Sequence, residues 1–308
     1  MINFRYHVVS LTAVFLALAI GLVVGTAALN GPLSDNLKSQ VEALSGQNTQ
    51  FRSQVSQLVA ESNKNEQYAN ESAPLLLAGR LANHSVVVVS MEDGNTYVDG
   101  LVQTLALSGA KVTGKILVQN KFFDPKYNET LLDLAHVVLP PSLTQAPGNS
   151  NAAETASYIL GAVLLNQTPA IPADAMRKVL DTLDEAGFIS APKDFAGPAD
   201  AMIFVAAQPY TDSAAAGKNA AVLTSTDQFD KAGPLVVAAN GVAGSGNIIS
   251  EVRGDPTLSK TISTVDNVAT PFGRIASTLA LVEQVQNSPA GHYGTSGSAD
   301  AMLPKLTP

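Results

Sequence analysis

The chain has 308 residues, 46% hydrophobic and only 14% charged, with a formal net charge of −8. That length leaves room for one large domain or two modest ones with a real core, and the acidic balance argues against nucleic acid as a partner. There is no cysteine, which removes disulfides, thiolate metal sites and cysteine nucleophiles together.

No residue between Arg5 and Asp35 carries a formal charge. Val8 to Leu29 is mostly Val, Leu, Ala, Ile and Phe. As a helix it is roughly 33 Å long, against a hydrocarbon core of about 30 Å. Gly25-Thr26-Ala27 offers small residues to a signal peptidase, but a signal peptide's apolar core runs about 7–15 residues. The longer run predicts an uncleaved transmembrane anchor over 8–29. Arg5 and the amino terminus precede the span and an acidic, polar flank follows it, so residues 1–7 are expected in the cytoplasm and the rest outside, as a single-pass cell-membrane protein. Within the span Ala13, Ala17, Gly21 and Gly25 place a small side chain at every fourth position, a face that lets two helix backbones approach closely.

After Gly31-Pro32 the composition turns to Gln, Ser and Asn with isolated apolar residues. Leu37, Leu44, Phe51 and Leu58 recur every seven residues, and taking them as d positions puts Val41, Asn48 and Val55 at a. This strict 3.5 spacing predicts a left-handed coiled-coil stalk over 33–72. Asn48 at a favours two strands in register, and a shared membrane makes the pairing parallel. Gly46 and the uncharged g residues Gln40, Gln47 and Gln54 weaken it. A single helix packed on its own globular domain remains the alternative.

From residue 73 to 287 the text reads as an α/β domain. Pro74–Leu81 has the pattern of a short helix, and Ser85–Ser90, a run of four valines between serines, suits a strand buried on both faces. A helix over Thr96–Leu107 and a strand over Lys111–Gln119 complete a βαβ unit. Thr130–Leu139 ends in a second short apolar run before Pro140-Pro141, and 145–151 is a polar loop. Helices are expected over Ala152–Asn166, Asp174–Ala186, Ala214–Lys231 and Phe272–Gln286, with strands over Ala201–Ala207 and Pro234–Asn240. The fold class is therefore a transmembrane helix and coiled-coil stalk, then a three-layer α/β domain with a mostly parallel sheet. Residues 288–308, rich in Gly, Ser, Ala and Pro, read as a disordered tail.

The opening FRYHVVSLTAVFLALAIGLVVG, the short coil after it, and STVDNVATPFGRIASTLALVEQ followed by GHYG resemble the actinobacterial MctB-like proteins. The resemblance runs from the anchor to about Gly294. It implies a copper transporter or channel-forming envelope protein, and also a link to cell separation beside a second membrane protein at the division site.

The residues support these implications unequally. Copper favours Cys, Met and His ligands, yet the five Met and four His residues (His7, His84, His136, His292) are scattered. No metal or cofactor site follows from the sequence, and copper enters through the resemblance alone. One helix per chain with a small-residue face suits helix pairing rather than a pore, and an outer-membrane barrel needs many alternating strands. Phosphate-binding glycine loops and a nucleophile elbow are absent from the sequence, so a non-catalytic protein is expected. Glu92-Asp93-Gly94 follows the valine strand, at the sheet edge where ligands bind in open parallel folds. Asp266-Asn267 is a second acidic loop that could face it, so Glu92, Asp93, Asp266 and Asn267 are weak ligand candidates. The residues favour a parallel homodimeric scaffold with a partner membrane protein; the resemblance favours copper transport.

Overall fold

The computed structural model describes residues 4–30, 32–144, 146–286 and 289–305. Residues 1–3 of the expected cytoplasmic end, the Gly31 break, Gln145 of the polar loop, the 287–288 domain boundary and 306–308 lie outside the described residues. The chain divides into two compact units, Met1–Asn65 and Glu66–Pro308.

The first unit is helical: α1 spans Phe4–Asn30, and α2 begins at Pro32 and continues to Leu77. Helix α1 is long and apolar enough over Phe4–Ala27 to cross a membrane. Its threonines do not open a polar path, because Thr12 Oγ1 donates to the Val8 carbonyl and Thr26 Oγ1 to the Leu22 carbonyl, both at 2.8 Å. Such back-bonding satisfies a hydroxyl within its own helix.

The second unit starts at Glu66 rather than at the expected residue 73 because the end of α2 is already in its core. Ala69, Ala73 and Leu77 recur at helical spacing and pack against Ile275 and Leu279. The same burial explains why Pro74 does not start a new helix, as its position suggested. Pro74 sits in the last turn, so its missing N–H removes one hydrogen bond near a helix end, and the apolar stripe carries the helix through to Leu77.

The sheet contains β1 (Ser85–Met91), β2 (Lys111–Val118), β3 (Ile189–Ser190), β4 (Ala201–Val205), β5 (Leu235–Ala238), β6 (Ser263–Val265) and β7 (His292–Tyr293). Their order is β3-β2-β1-β4-β5-β6-β7. Only β3, at one edge, runs antiparallel to its neighbour. Among the described residues the sheet is open: β3 and β7 are edges and do not pair to close a barrel.

Helices cover both faces. Val87 and Val89 of β1 join a core with α5 (Asn128–Val138), α6 (Ala152–Leu164), α7 (Ala173–Glu185) and α8 (Ala215–Ala232). Val86 and Val88 face the other way, toward α3 (Val98–Leu107) and α10 (Pro271–Val285). Side chains alternate across a strand, so a strand covered on both faces is apolar at every position. All four valines are at most 1% exposed, each contributing about 1.5–3 kcal/mol as an upper estimate.

One unassigned run is settled and one reading changes. The apolar run before Pro140-Pro141 is the end of α5, whose Leu131, Ala135 and Val138 are buried on one helical face. The segment expected as a disordered tail contributes β7, parallel to β6 with Thr264 opposite His292 and Val265 opposite Tyr293. Its small residues serve a tight loop against the sheet edge, where Tyr293 also bridges to Ala301.

Candidate functional site

Strands β2 and β4 lie on opposite sides of β1, so the chain reverses its winding direction between β1 and β4. In open parallel sheets the crevice outside the carboxyl ends of two such strands is the usual ligand site. Glu92 and Asp93 stand there, directly after β1.

This crevice is filled by the protein itself. The turn after β1 (Asp93–Tyr97) passes directly over β4: a Cβ on Gly94 would overlap the carbonyl oxygen of Val205. Glu92 is not left facing a ligand, since its carboxylate accepts from the backbone N–H of Asn120 at 2.8 Å and from Asn120 Nδ2 at 2.6 Å. Asn120 follows β2 and opens the short helix α4 (Asn120–Phe123). From the β4 side, Tyr210 Oη donates to Asn120 Oδ1 at 2.5 Å. The chain Glu92–Asn120–Tyr210 thus ties together the ends of β1, β2 and β4. Burial holds the Tyr210 phenol above its ordinary value, and the Glu92, Asp93, Asp212 and Asp124 carboxylates push it the same way.

The acidity is partly balanced by Lys218 of α8, whose Nζ lies 2.7 Å from Asp212 and 3.5 Å from Asp124. Lys218 also sits 5.2 Å from the centre of the Tyr210 ring, a cation–π contact. Burial counteracts, but hydrogen bonding to Asp212 raises the lysine above its ordinary value.

Asp266 does not face this loop. It directly follows β6, three strand positions from β1, a separation of about 14 Å at the usual strand spacing. Its carboxylate takes Arg253 Nη1 at 3.0 Å, the Thr295 N–H at 2.8 Å and Ser296 Oγ at 2.5 Å. Arg253 belongs to α9 (Ile248–Gly254) and also donates to the Tyr293 carbonyl, Ser298 Oγ and Thr264 Oγ1. Asn267 shapes the next turn: its carbonyl accepts from Thr270 Oγ1 at 2.9 Å, and Thr270 in turn caps α10 through the Gly273 N–H. The acidic loop of the quoted late motif is therefore a structural clamp, and the two predicted loops do not form one site.

Among the described residues no three His, Asp or Glu side chains converge as metal ligands. His292 Nδ1 is 2.9 Å from Thr264 Oγ1, and burial lowers its affinity for a proton.

An open cavity of about 510 Å³ does exist one strand along, outside β4 and β5. The loop after β4, the first half of α8, the glycine loop after β5 and Glu251 of α9 line it. Tyr210 is shared: its hydroxyl closes the crevice, while the residue also lines the cavity. Sequence reasoning missed Asn120, Tyr210, Lys218, Glu251 and Arg253. None stands in a motif; each acquires its role through contacts distant along the chain.

The predicted pairing residues lie in the first unit. Leu37, Val41, Leu44, Phe51, Val55 and Leu58 are 57–65% exposed, and Asn48 is exposed beside them. On α1, a Cβ added to Gly21 or Gly25 meets nothing within 4 Å; Ala13 and Ala17 precede them at four-residue steps.

These features define a class: an apolar membrane-length helix continued by a long exposed helix, with a doubly wound α/β domain whose usual ligand crevice is closed. The family model described as "Copper transport outer membrane protein, MctB" matches residues 1–304. The chain belongs to the MctB family. It is similar to proteins named "Copper transporter MctB": 29% identical to that of Mycobacterium tuberculosis over 307 residues, covering 97% of this chain and 98% of the relative. The Mycobacterium bovis protein gives the same values. The Mycobacterium leprae protein is 28% identical over 313 residues, covering 98% and 99%.

Proposed function

We propose that this protein is a non-catalytic, single-pass component of copper handling at the cell envelope, anchored by α1 with its α/β domain outside the membrane. The copper link rests on the family and its named relatives. The manner of action rests on the chain's own residues. With one membrane-length helix and an open sheet among the described residues, we read its role as holding and presenting a domain rather than enclosing a copper path. Metal analysis of the full-length protein tests direct binding: stoichiometric copper retained at micromolar concentration would overturn this division of labour.

A second reading is favoured by one observation, the row of six large apolar side chains on α2 that are more than half exposed. In water such a row favours a partner, and its seven-residue repeat fits a second copy of the same helix. On this reading the protein is a parallel dimeric scaffold that acts with another membrane protein in cell separation or cell-wall remodelling. In-cell cross-linking with mass spectrometry tests it, since it reads self-pairing, sidedness and partners together. Cross-links confined within single chains would count against the scaffold.

A further inference from the structure

We propose that the cavity outside β4 and β5 is a binding site for a small amphipathic cation, with an apolar body and an amine-type end. It stands apart from the anchoring and pairing readings, because it uses only residues of the second unit. Its volume, about 510 Å³, falls within the ordinary range for small-molecule sites, and it lies at the sheet edge where such sites occur.

The walls are fixed by backbone packing. Gly244, at φ +97°, lies so close to Pro209 that an added Cβ would come within 2.7 Å of its Cγ. Gly246, at φ +76°, stands in the same relation to Asn219, at 2.6 Å. The Asn219 amide is spent internally: Oδ1 accepts from the Tyr210 N–H at 2.9 Å and Nδ2 donates to the carbonyls of Tyr210 and Ser245. The loop after β5 is thereby tied to the loop after β4, and the space between them is preformed.

The lining sets the ligand class. Pro209, Ala216, Ala220 and Leu223 give an apolar floor, and Glu251 is the charged group among the lining residues. Its carboxylate has no ionic or hydrogen-bond partner among the described residues. Both neighbouring cations are committed elsewhere, Lys218 to Asp212 and Asp124, and Arg253 to Asp266. The first turn of α8 also borders the cavity and would by itself favour an anion. Asp212 already serves that end, since its Oδ1 accepts from the Ala214 N–H at 3.0 Å. The charged group left without a protein partner is therefore the solvent-exposed Glu251 carboxylate, beside an apolar floor.

The test uses matched probes on the full-length protein in nanodiscs: phenethylamine against 3-phenylpropionate, followed through the methyl resonances of Ala216, Ala220 and Leu223. The amine should shift these methyls saturably and the acid should not. Glu251→Gln should weaken the amine by about two- to fivefold, as expected for an exposed charge pair. Ala220→Phe should abolish the shifts, and Ala216→Phe provides a second filling substitution; both positions are exposed, so neither disturbs the core. Equal or tighter binding of the acid overturns the proposal. So do amine shifts that never saturate, that survive both Phe substitutions, or that are indifferent to Glu251→Gln.

Discussion

Arg253 and Asp266 form an ion pair of 3.0 Å in which the side chains are only 5% and 1% exposed. Removing one partner of such a pair leaves a buried charge uncompensated, which costs about 3–5 kcal/mol. Arg253→Leu should therefore lower unfolding stability by that amount and release amide protection at Tyr293 and Thr295, whose backbone groups the pair engages. Chemical denaturation with hydrogen exchange measures both. A loss under about 1 kcal/mol would mean that the clamp is not structural.

The same carboxylate carries a pH dependence. Burial alone pushes the Asp266 carboxyl up, but hydrogen bonds from Ser296, Thr295 and Arg253, with the arginine charge, outweigh it and hold the group below its ordinary 3.8. A carboxyl depressed in the folded state contributes stability above its unfolded pKa, and that contribution is lost as pH falls through the folded value. Stability should thus drop below about pH 4, with a shallower acid slope in Asp266→Asn. Parallel acid-unfolding curves for the two proteins would refute this.

Tyr210 gives the alkaline counterpart. Its raised phenol stays protonated in the folded protein while an unfolded tyrosine ionises near pH 10, so its contribution is present below pH 10 and fades as pH rises further. Ultraviolet titration should show one fewer late-ionising phenol in Tyr210→Phe. The substitution should also cost about 1 kcal/mol, the ordinary worth of the lost bond to Asn120. A Tyr210 that titrates with the exposed tyrosines would show the crevice to be open.

Gly94→Ala probes that closure sterically. The added methyl has nowhere to go, because it meets the backbone oxygen of Val205 rather than a side chain that can turn aside. Overpacking of this kind costs about 1–3 kcal/mol, and the turn after β1 should lift away from β4. The readout is the melting temperature together with proteolysis between residues 92 and 97; an unchanged melting temperature and cleavage pattern would contradict the close approach.

Pairing of the first unit is tested by Gly21→Leu with Gly25→Leu, and separately by Asn48→Lys. The leucines block close approach of two α1 helices, and lysine places like charges opposite each other in a two-stranded seam. Each should reduce cross-linked dimer in membranes several-fold. Undiminished cross-linking in both would leave the exposed row of α2 without its proposed occupant.

How much of this was readable in advance depends on how local the signal is. The valine run of β1 announced a strand buried on both faces because four β-branched residues in succession suit little else. Strand β6 was hidden: Ser263-Thr264-Val265 looks like a loop, yet all three residues are unexposed. Their hydroxyls are satisfied by Gln284, Arg253 and His292, between 11 and 28 residues away. Strand β7 was hidden for a related reason, since two residues flanked by glycines carry no period. At the candidate site, Glu92 was legible from its place after a strand. Its partner Asn120 lies 28 residues away, and Tyr210 a further 90 from Asn120; no spacing rule links them. Asp266 was misread because an acidic turn after a strand looks the same whether it awaits a ligand or holds an arginine.

The Arg253–Asp266 clamp also orders events in time. Arg253 is joined to Tyr293 across 40 residues and to Ser296 across 43, so during synthesis from the amino end it waits for all of them to follow. Until then two opposite charges sit at an unfinished sheet edge with most of their hydrogen bonds unmade. A chain halted before this segment carries an exposed β6 edge, which is the kind of surface that proteases and aggregation select. Arrival of GHYGTS completes the edge and the charge pair in one step, so the last strand and the clamp stand or fall together.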